Sequence, residues 1–362
     1  MYVTGAPLRV SVTYFFYRPI MQWQVWIMTK FIIKRLLYSI VILFFVMLIV
    51  YLLMYSLPSS YVETKAREMA MKPGSMKSAA EWLKELNAQY GMDKGVIEGY
   101  FTWLKSAVKG DFGESWQWTV PVTQKFKDVI WYSFALGLVS FILEIVIAIP
   151  LGVVAARKQY SLTDYAVTVV SLVGISLPTF FVATLLKMVF GVWIKGADGM
   201  PLLDISGMQS RNFLSLSPWG QKLDIAKHFI LPVLTLTIVS IGGLMRYTRA
   251  NMLEVLNADY IRTARAKGLS EQKVIGYHAF RNTLIPIVTI LGGSLPGLFA
   301  GALITEQLFS VTGIGFVSYQ SMVRGDIPFT MFYLAFMAIL TLLGTLISDI
   351  LYAVVDPRVR VH

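Results

Sequence analysis

Residues Leu36–Leu57 read LLYSIVILFFVMLIVYLLMYSL, a near-continuous apolar run without a charge. A helix needs about 20 apolar residues to cross the hydrocarbon core of a bilayer, so this stretch predicts a membrane span. Five more stretches qualify or nearly do. Tyr132–Ala156 is interrupted by Glu144 and Pro150, and Tyr165–Ile194 is broken by Pro178. Phe229–Met245 is the shortest, Leu284–Ile304 is rich in glycine, and Phe329–Val355 is the last. Composition agrees: 56% of the 362 residues are hydrophobic and only 15% are charged, against about 25% in an ordinary soluble domain. A soluble fold this apolar lacks the polar surface to cover itself. The expected fold class is an all-α integral membrane protein with six transmembrane helices.

Several chemistries are excluded by what is missing. With no cysteine there is no disulfide, thiolate metal site or cysteine nucleophile. The three histidines, His228, His278 and His362, are far apart and none sits in H-E-x-x-H. No G-x-S-x-G occurs, and no glycine is followed by lysine, so a Walker A loop is impossible. The chain does not hydrolyse nucleotide by that route on its own.

The formal charge of +11 tests the topology. Residues 1–35 hold five basic side chains (Arg9, Arg18, Lys30, Lys34, Arg35) and no acid. The segments 157–164, 246–282 and 356–362 are also net basic, and 246–282 carries seven basic against three acidic residues. The alternate segments 58–131, 195–228 and 306–328 nearly cancel. Lysine and arginine in short loops mark the cytoplasmic side, so both termini are expected in the cytoplasm. The resulting organisation is a cytoplasmic or interfacial segment 1–35, a first span 36–57 and an extracytoplasmic loop 58–131. A core of five spans follows over 132–355 and contains the loop 246–282; a cytoplasmic tail, 356–362, ends the chain. Residues 1–27 lack the long apolar middle and cleavage site of a signal peptide. They read either as a flexible tail before Met28 or as an interfacial helix with aromatics at headgroup level. In the long outer loop, Glu81–Leu86 and Tyr100–Val108 read as short amphipathic helices. Gly110–Ser115 (GDFGES) is a compact turn before Trp116 and Trp118.

The inner loop 246–282 is the most informative: RYTRANMLEVLNADYIRTARAKGLSEQKVIGYHAFRN. Helix formers fill Ala250–Leu256, Asn257 and Asp259 are capping types, and a second short helix is expected from about Ala258 to Lys267. Gly268 then suits the position after the helix, where positive φ favours glycine. A basic helix between two spans has two readings. It fixes topology, or it inserts into a groove of a soluble partner as a lever, with Arg262, Arg265 and Lys267 meeting acidic groups or anionic headgroups.

Asp259–Leu269 (DYIRTARAKGL) followed by His278–Asn282 (HAFRN) resembles the coupling loop of permeases in the dipeptide/oligopeptide/nickel family of ABC importers. The general motif there is E-A-A-x-x-x-G-x(9)-I-x-L-P. Here Arg262-Thr263-Ala264 stands for E-A-A and His278-Ala279-Phe280-Arg281 for I-x-L-P, the version common in the peptide branch. Four other segments agree in order. Gly110–Ser115 resembles G-D-[FL]-G-x-S. Thr305–Ser310 with Gly313-Ile314-Gly315 resembles T-E-x-[LV]-F-x-x-x-G-[IL]-G. Arg324–Pro328 resembles R-D-x-P with Gly325 inserted, and Asp356–Arg360 matches D-P-R-x-R. Phe31–Tyr38 also looks like the common start. The resemblance runs from about Met28 to the end. One departure is that Leu57-Pro58-Ser59-Ser60 replaces the usual P-G-D-P.

The resemblance implies a type I ABC importer permease fold in a prokaryotic plasma membrane. It also implies partners: a second homologous permease, two ATP-binding-cassette ATPases and an extracytoplasmic peptide-binding protein. ATP and Mg would belong to the ATPases, so the chain itself would carry no cofactor, metal or catalytic residue and bind no nucleic acid. The implied coupling residues are Asp259, Tyr260, Arg262, Thr263, Ala264, Arg265, Lys267, Gly268, His278 and Arg281. Within the spans, Gly293, Gly297 and Gly301 recur every four residues on the fifth. They either pack closely against a neighbour or leave room for a passage, with Thr289 and Ser294 as peptide contacts. Glu144 is an intramembrane acid, either functional or hydrogen-bonded to a neighbouring span. Lys187 is expected to snorkel at the outer end, and Asp349 to cap or pair locally. The competing functions are import of nickel or another small solute by the same architecture, and an ion-coupled transporter with Glu144 and Asp349 as its ionisable groups. A membrane enzyme fails for want of a nucleophile–base or metal constellation.

Overall fold

A computed structural model describes residues 11–56, 59–90, 93–196, 199 and 201–355. The DPRVR ending and the Leu57-Pro58 dipeptide lie outside the described residues. Among those described, the fold is built from helices: α1 (Ser11–Tyr55), α2 (Ser59–Ala70), α3 (Ala79–Tyr90), α4 (Val96–Val108), α5 (Val122–Arg157), α6 (Leu162–Ser176) and α7 (Thr179–Met188) come first. Then follow α8 (Pro218–Leu256), α9 (Asp259–Ala266), α10 (Glu271–Lys273), α11 (Phe280–Ser294), α12 (Leu303–Leu308), α13 (Ile314–Val323) and α14 (Ile327–Val355). Five continuous helical segments are long and apolar enough to cross a membrane, and α6 with α7 makes a sixth if a bent pair counts as one.

The expected spans are present with three corrections. First, α1 begins at Ser11, so the described part of the amino-terminal segment is helical and continuous with the first span. No glycine or proline lies between Ile20 and Leu57, so nothing stops the helix before Tyr55. Second, the third span is not one crossing rod: α6 and α7 meet at 104°. Leu177 is extended (ψ 126°) and Pro178 caps α7, because the residue before proline is pushed out of the helical region. Third, the shortest expected span belongs to the longest of the core helices. α8 has 39 residues, about 58 Å at 1.5 Å per residue. It starts where the Ser217 hydroxyl accepts the Gly220 N–H with Pro218 behind it. It continues past Met245 because Arg246, Arg249 and Glu254 are polar but good helix formers.

α5 and α8 form the most extensive helix pair and the frame of the core, with α6 and α7 along α8 and α14 held between α1 and α11. The segment 58–131 carries α2 as well as the two anticipated helices. Ser78 and Glu81 form a capping box at the start of α3. The Ser78 backbone N–H holds the Glu81 carboxyl below the usual carboxylate range. These helices do not stand apart from the spans. Tyr51, Tyr100, Trp103 and Trp116 share one buried cluster, and the Tyr100 hydroxyl donates to the Phe44 carbonyl of α1 at 2.9 Å.

Candidate energy-coupling loop

α9 is the centre of the basic loop. Its sequence places apolar side chains three apart, and the structure uses them: Ile261 and Ala264 are buried, while Asp259, Tyr260, Arg262, Thr263, Arg265 and Lys267 are exposed. The buried face sits in a cluster with Ala156 from the end of α5, Met252 from the end of α8, and Val274 and Ala279. Thr283 of α11 contacts the Met252 sulfur at 3.2 Å. One short helix is thus seated among the ends of α5 and α8 and the stretch that leads into α11.

The helix ends as the sequence predicts. Gly268 has φ +76°, its N–H donates to the Arg265 carbonyl at 2.9 Å, and the Leu269 N–H reaches the Ala264 carbonyl at 3.4 Å. This pair of bonds is the Schellman motif. No heavy atom lies within 4 Å of where a Gly268 Cβ would be, so the residue is exposed at a turn with free space above it. Arg265 pairs with Glu271 at 2.7 Å and Arg262 with Asp259 at 3.5 Å. His278 lies on a π-helical stretch, Val274–Ala279, edge-on to the exposed Tyr277 ring at 5.2 Å. Arg281 follows, exposed, on the first turn of α11.

Of the proposed coupling residues, Ala264 anchors the helix, His278 is half-buried and the others are exposed. Two contributors were not anticipated. Ile261 is the fully buried anchor of α9. Asp164, at the start of α6, takes a bidentate grip from Arg249 of α8 at 2.5 and 2.8 Å. The S-x-x-D pattern of Ser161 and Asp164 is a helix-start signal that marks this acid; its hydrogen bonds confirm the cap.

The span residues scatter more. Glu144 on α5 is half-buried, and the Ser240 hydroxyl of α8 donates to its own helix, at the Thr237 carbonyl (3.2 Å). Thr289 and Ser294 donate to their own helix carbonyls, of Ile285 and Ile290. Gly293 and Gly297 line a cleft against α14, but Gly301 does not share their face. α11 ends at Ser294, a 3-10 turn covers Leu295–Phe299, and Gly301 stands outside any helix at φ +82° against Gly315. Lys187 does not snorkel free: its ammonium donates to the Leu308 carbonyl at 2.7 Å, at the end of α12. Asp349 pairs with Arg35 of α1 at 3.0 Å rather than locally.

Two motifs explain themselves by burial. Glu306 is fully buried and accepts from the Ser133 hydroxyl (2.6 Å) and from the Ala302 (3.0 Å) and Phe316 (2.7 Å) N–H groups. Gly313 is required beside it, since a Cβ there falls 2.5 Å from the Glu306 carboxyl carbon. Asp326 closes on the GDFGES turn through Ser115, Trp116 and Gln117.

Spans of this number, with a basic, glycine-capped helix seated across their ends, define a multi-pass membrane permease. The chain belongs to the family described as binding-protein-dependent transport system inner membrane component, whose model matches residues 148–361; the companion amino-terminal model matches 28–124. It is 35% identical over 334 residues to the oligopeptide transport system permease protein AppB of Bacillus subtilis, covering 92% of this chain and 100% of the relative. It is 33% identical over 343 residues to the dipeptide transport system permease protein DppB of Escherichia coli K12, covering 92% and 99%. A putative peptide transport system permease protein of Brucella abortus (strain 2308) is 33% identical over 336 residues, covering 92% and 99%.

Proposed function

We propose that this chain is a transmembrane subunit of an ATP-driven importer that moves peptides into a prokaryotic cytoplasm by alternating access. It pairs with a second, homologous permease, and two ATP-binding-cassette subunits bind ATP and Mg beneath the pair. An extracytoplasmic binding protein delivers the peptide. Both termini and the loop around Gly268 lie in the cytoplasm, in keeping with their excess of Lys and Arg. The observation that carries this reading is α9. Its apolar face is held by Ile261 and Ala264 against the ends of α5 and α8 and the π-helical stretch that leads into α11, while its charged face is exposed toward a partner groove. A displacement of that face by closing ATPases is carried into the long helices, because packed interiors transmit strain.

The test is reconstitution. Affinity purification of the chain from its own membrane is expected to bring down two ATPase polypeptides and a second permease. The assembled complex in liposomes is expected to accumulate tetra-alanine only with ATP and the binding protein, while the purified chain alone hydrolyses no ATP. Uptake without ATP, or hydrolysis by the lone chain, contradicts the reading.

A further inference from the structure

A cleft of about 380 Å³ opens between α11, with its 3-10 extension, and α14. One wall is Gly293, Pro296 and Gly297; the other is Met337, Thr341, Thr345, Ser348 and Asp349. All lie within segments apolar enough to span a membrane, and Thr341, Thr345, Gly293 and Gly297 are exposed. An ionisable group at that depth, here Asp349, belongs to a water-filled cavity or a protein contact rather than to lipid, and Thr341 and Thr345 line the same cleft.

The hydrogen bonds of the wall define what it accepts. Thr341 donates its hydroxyl proton to the Met337 carbonyl at 2.8 Å, Thr345 to Thr341 at 2.9 Å, and Ser348 to Thr289 of α11 at 3.3 Å. Each hydroxyl has spent its one donor and keeps acceptor capacity. Asp349 is also an acceptor and is already met by Arg35. Pro296 contributes no N–H, and glycines 293 and 297 contribute no side chain. The cleft is lined by acceptors, so its ligand must supply donors. Thr341 and Thr345 are one helical turn apart, about 6 Å. Alternate N–H groups on one edge of an extended peptide are about 6.6 Å apart.

We propose that this cleft is a peptide-backbone site in the importing passage, where the hydroxyls of Thr341 and Thr345 accept alternate N–H groups of an extended peptide. The proposal rests on the importer reading above and adds the part of the substrate that is recognised. Such a site is indifferent to side chains, as passage of varied peptides requires. It does not suit a divalent cation, which prefers several oxygen ligands including carboxylates; the cleft has one carboxylate, already paired.

The experiment uses the complete reconstituted importer with tetra-alanine as substrate. The paired substitution Thr341→Val and Thr345→Val keeps shape and removes both hydroxyls. Uptake is expected to fall at least fivefold, while Thr341→Ser with Thr345→Ser stays within twofold of wild type. Binding-protein affinity for tetra-alanine is measured separately and stays constant. Unchanged uptake in the valine variant overturns the proposal. A second measurement does not depend on that variant. In this chain, which lacks cysteine, Thr345→Cys supplies a single thiol. Its labelling by a small maleimide is expected to slow at least threefold while tetra-alanine is being transported, and that of Ile339→Cys, also exposed on α14, is not. If the Thr345→Cys thiol is shielded with or without peptide, and cross-links to the second permease, the cleft is a subunit interface and the assignment is refuted. Absence of any ATP-dependent uptake by the wild-type complex would instead defeat the importer reading itself.

Discussion

The Ser115 hydroxyl donates to the Asp326 carboxylate across 211 positions of chain. The same carboxylate accepts the backbone N–H groups of Trp116 (3.0 Å) and Gln117 (3.3 Å) from the GDFGES turn, and of Phe329 (3.3 Å) at the start of its own helix. Two motifs that look independent in the sequence are one buried joint, which clamps the GDFGES turn to the first residues of α14.

Asp326→Ala therefore leaves several buried donors without an acceptor. A loss on the order of 3 kcal/mol is expected, since each orphaned buried group costs about 1–3 kcal/mol. Thermal unfolding in detergent, followed by tryptophan fluorescence, reads it through Trp116 and Trp118 beside the joint. Asp326→Asn keeps one acceptor oxygen and is expected to fall between. An alanine variant as stable as wild type would mean the joint is solvated.

Glu306→Gln tests the second buried carboxylate. Glutamine has one oxygen and a donating NH2, and the latter must face either the Phe316 N–H or the pair of Ser133 and Ala302. A donor against a donor is expected to cost about 2 kcal/mol or more. The yield of monodisperse protein by size exclusion should drop, and Gly313→Ala should drop it further by steric overlap with Glu306 and Ser133.

Substitutions at Gly268 test the proposed coupling role apart from folding. Gly268→Ala meets no neighbouring atom, so its cost is the left-handed backbone alone, about 1–2 kcal/mol. Gly268→Arg is expected to insert into the membrane and assemble normally. Its bulk on the free side of α9 obstructs the partner groove, and uptake in the presence of the ATPases is lost. Wild-type uptake by that variant would remove Gly268 from the coupling surface.

The Asp164–Arg249 pair ties the start of α6 to the stretch of α8 that leads into α9. Asp164 is 4% exposed and Arg249 27% by side chain. Asp164→Asn or Arg249→Met alone leaves one charge uncompensated, which costs about 3–5 kcal/mol when fully buried and less here because Arg249 is partly exposed. The double variant Asp164→Asn with Arg249→Met is expected to be more stable than the sum of the two losses predicts. A double-mutant cycle on melting temperature checks this, and additive losses would show that the two do not interact.

Much of the architecture is legible in particular residues. The apolar run Leu36–Leu57 announces a span because crossing a bilayer demands about 20 apolar residues. The Schellman end of α9 is readable at Gly268 because left-handed φ is a local preference. The helical face of Ile261 and Ala264 follows from a period of 3.6. The sequence misleads where tertiary contact overrides local pattern. α8 outruns its apolar stretch, its carboxy-terminal part supported by Asp164 and by the α9 cluster, and Gly301 leaves the helical face of Gly293 because the chain turns at Leu295.

By itself, then, the sequence determined that this is an all-helical, multi-pass membrane protein with a basic, glycine-capped loop, since hydropathy, helix period and glycine φ are properties of neighbouring residues. Only the tertiary structure decided that Ser115 meets Asp326, that Arg249 grips Asp164, that Arg35 pairs with Asp349, and that Thr341 and Thr345 face a cleft with their protons spent. Each of those relations depends on where distant helices come to rest. A charge or hydroxyl does not reveal its partner until the packing of apolar faces has brought the two within hydrogen-bonding distance.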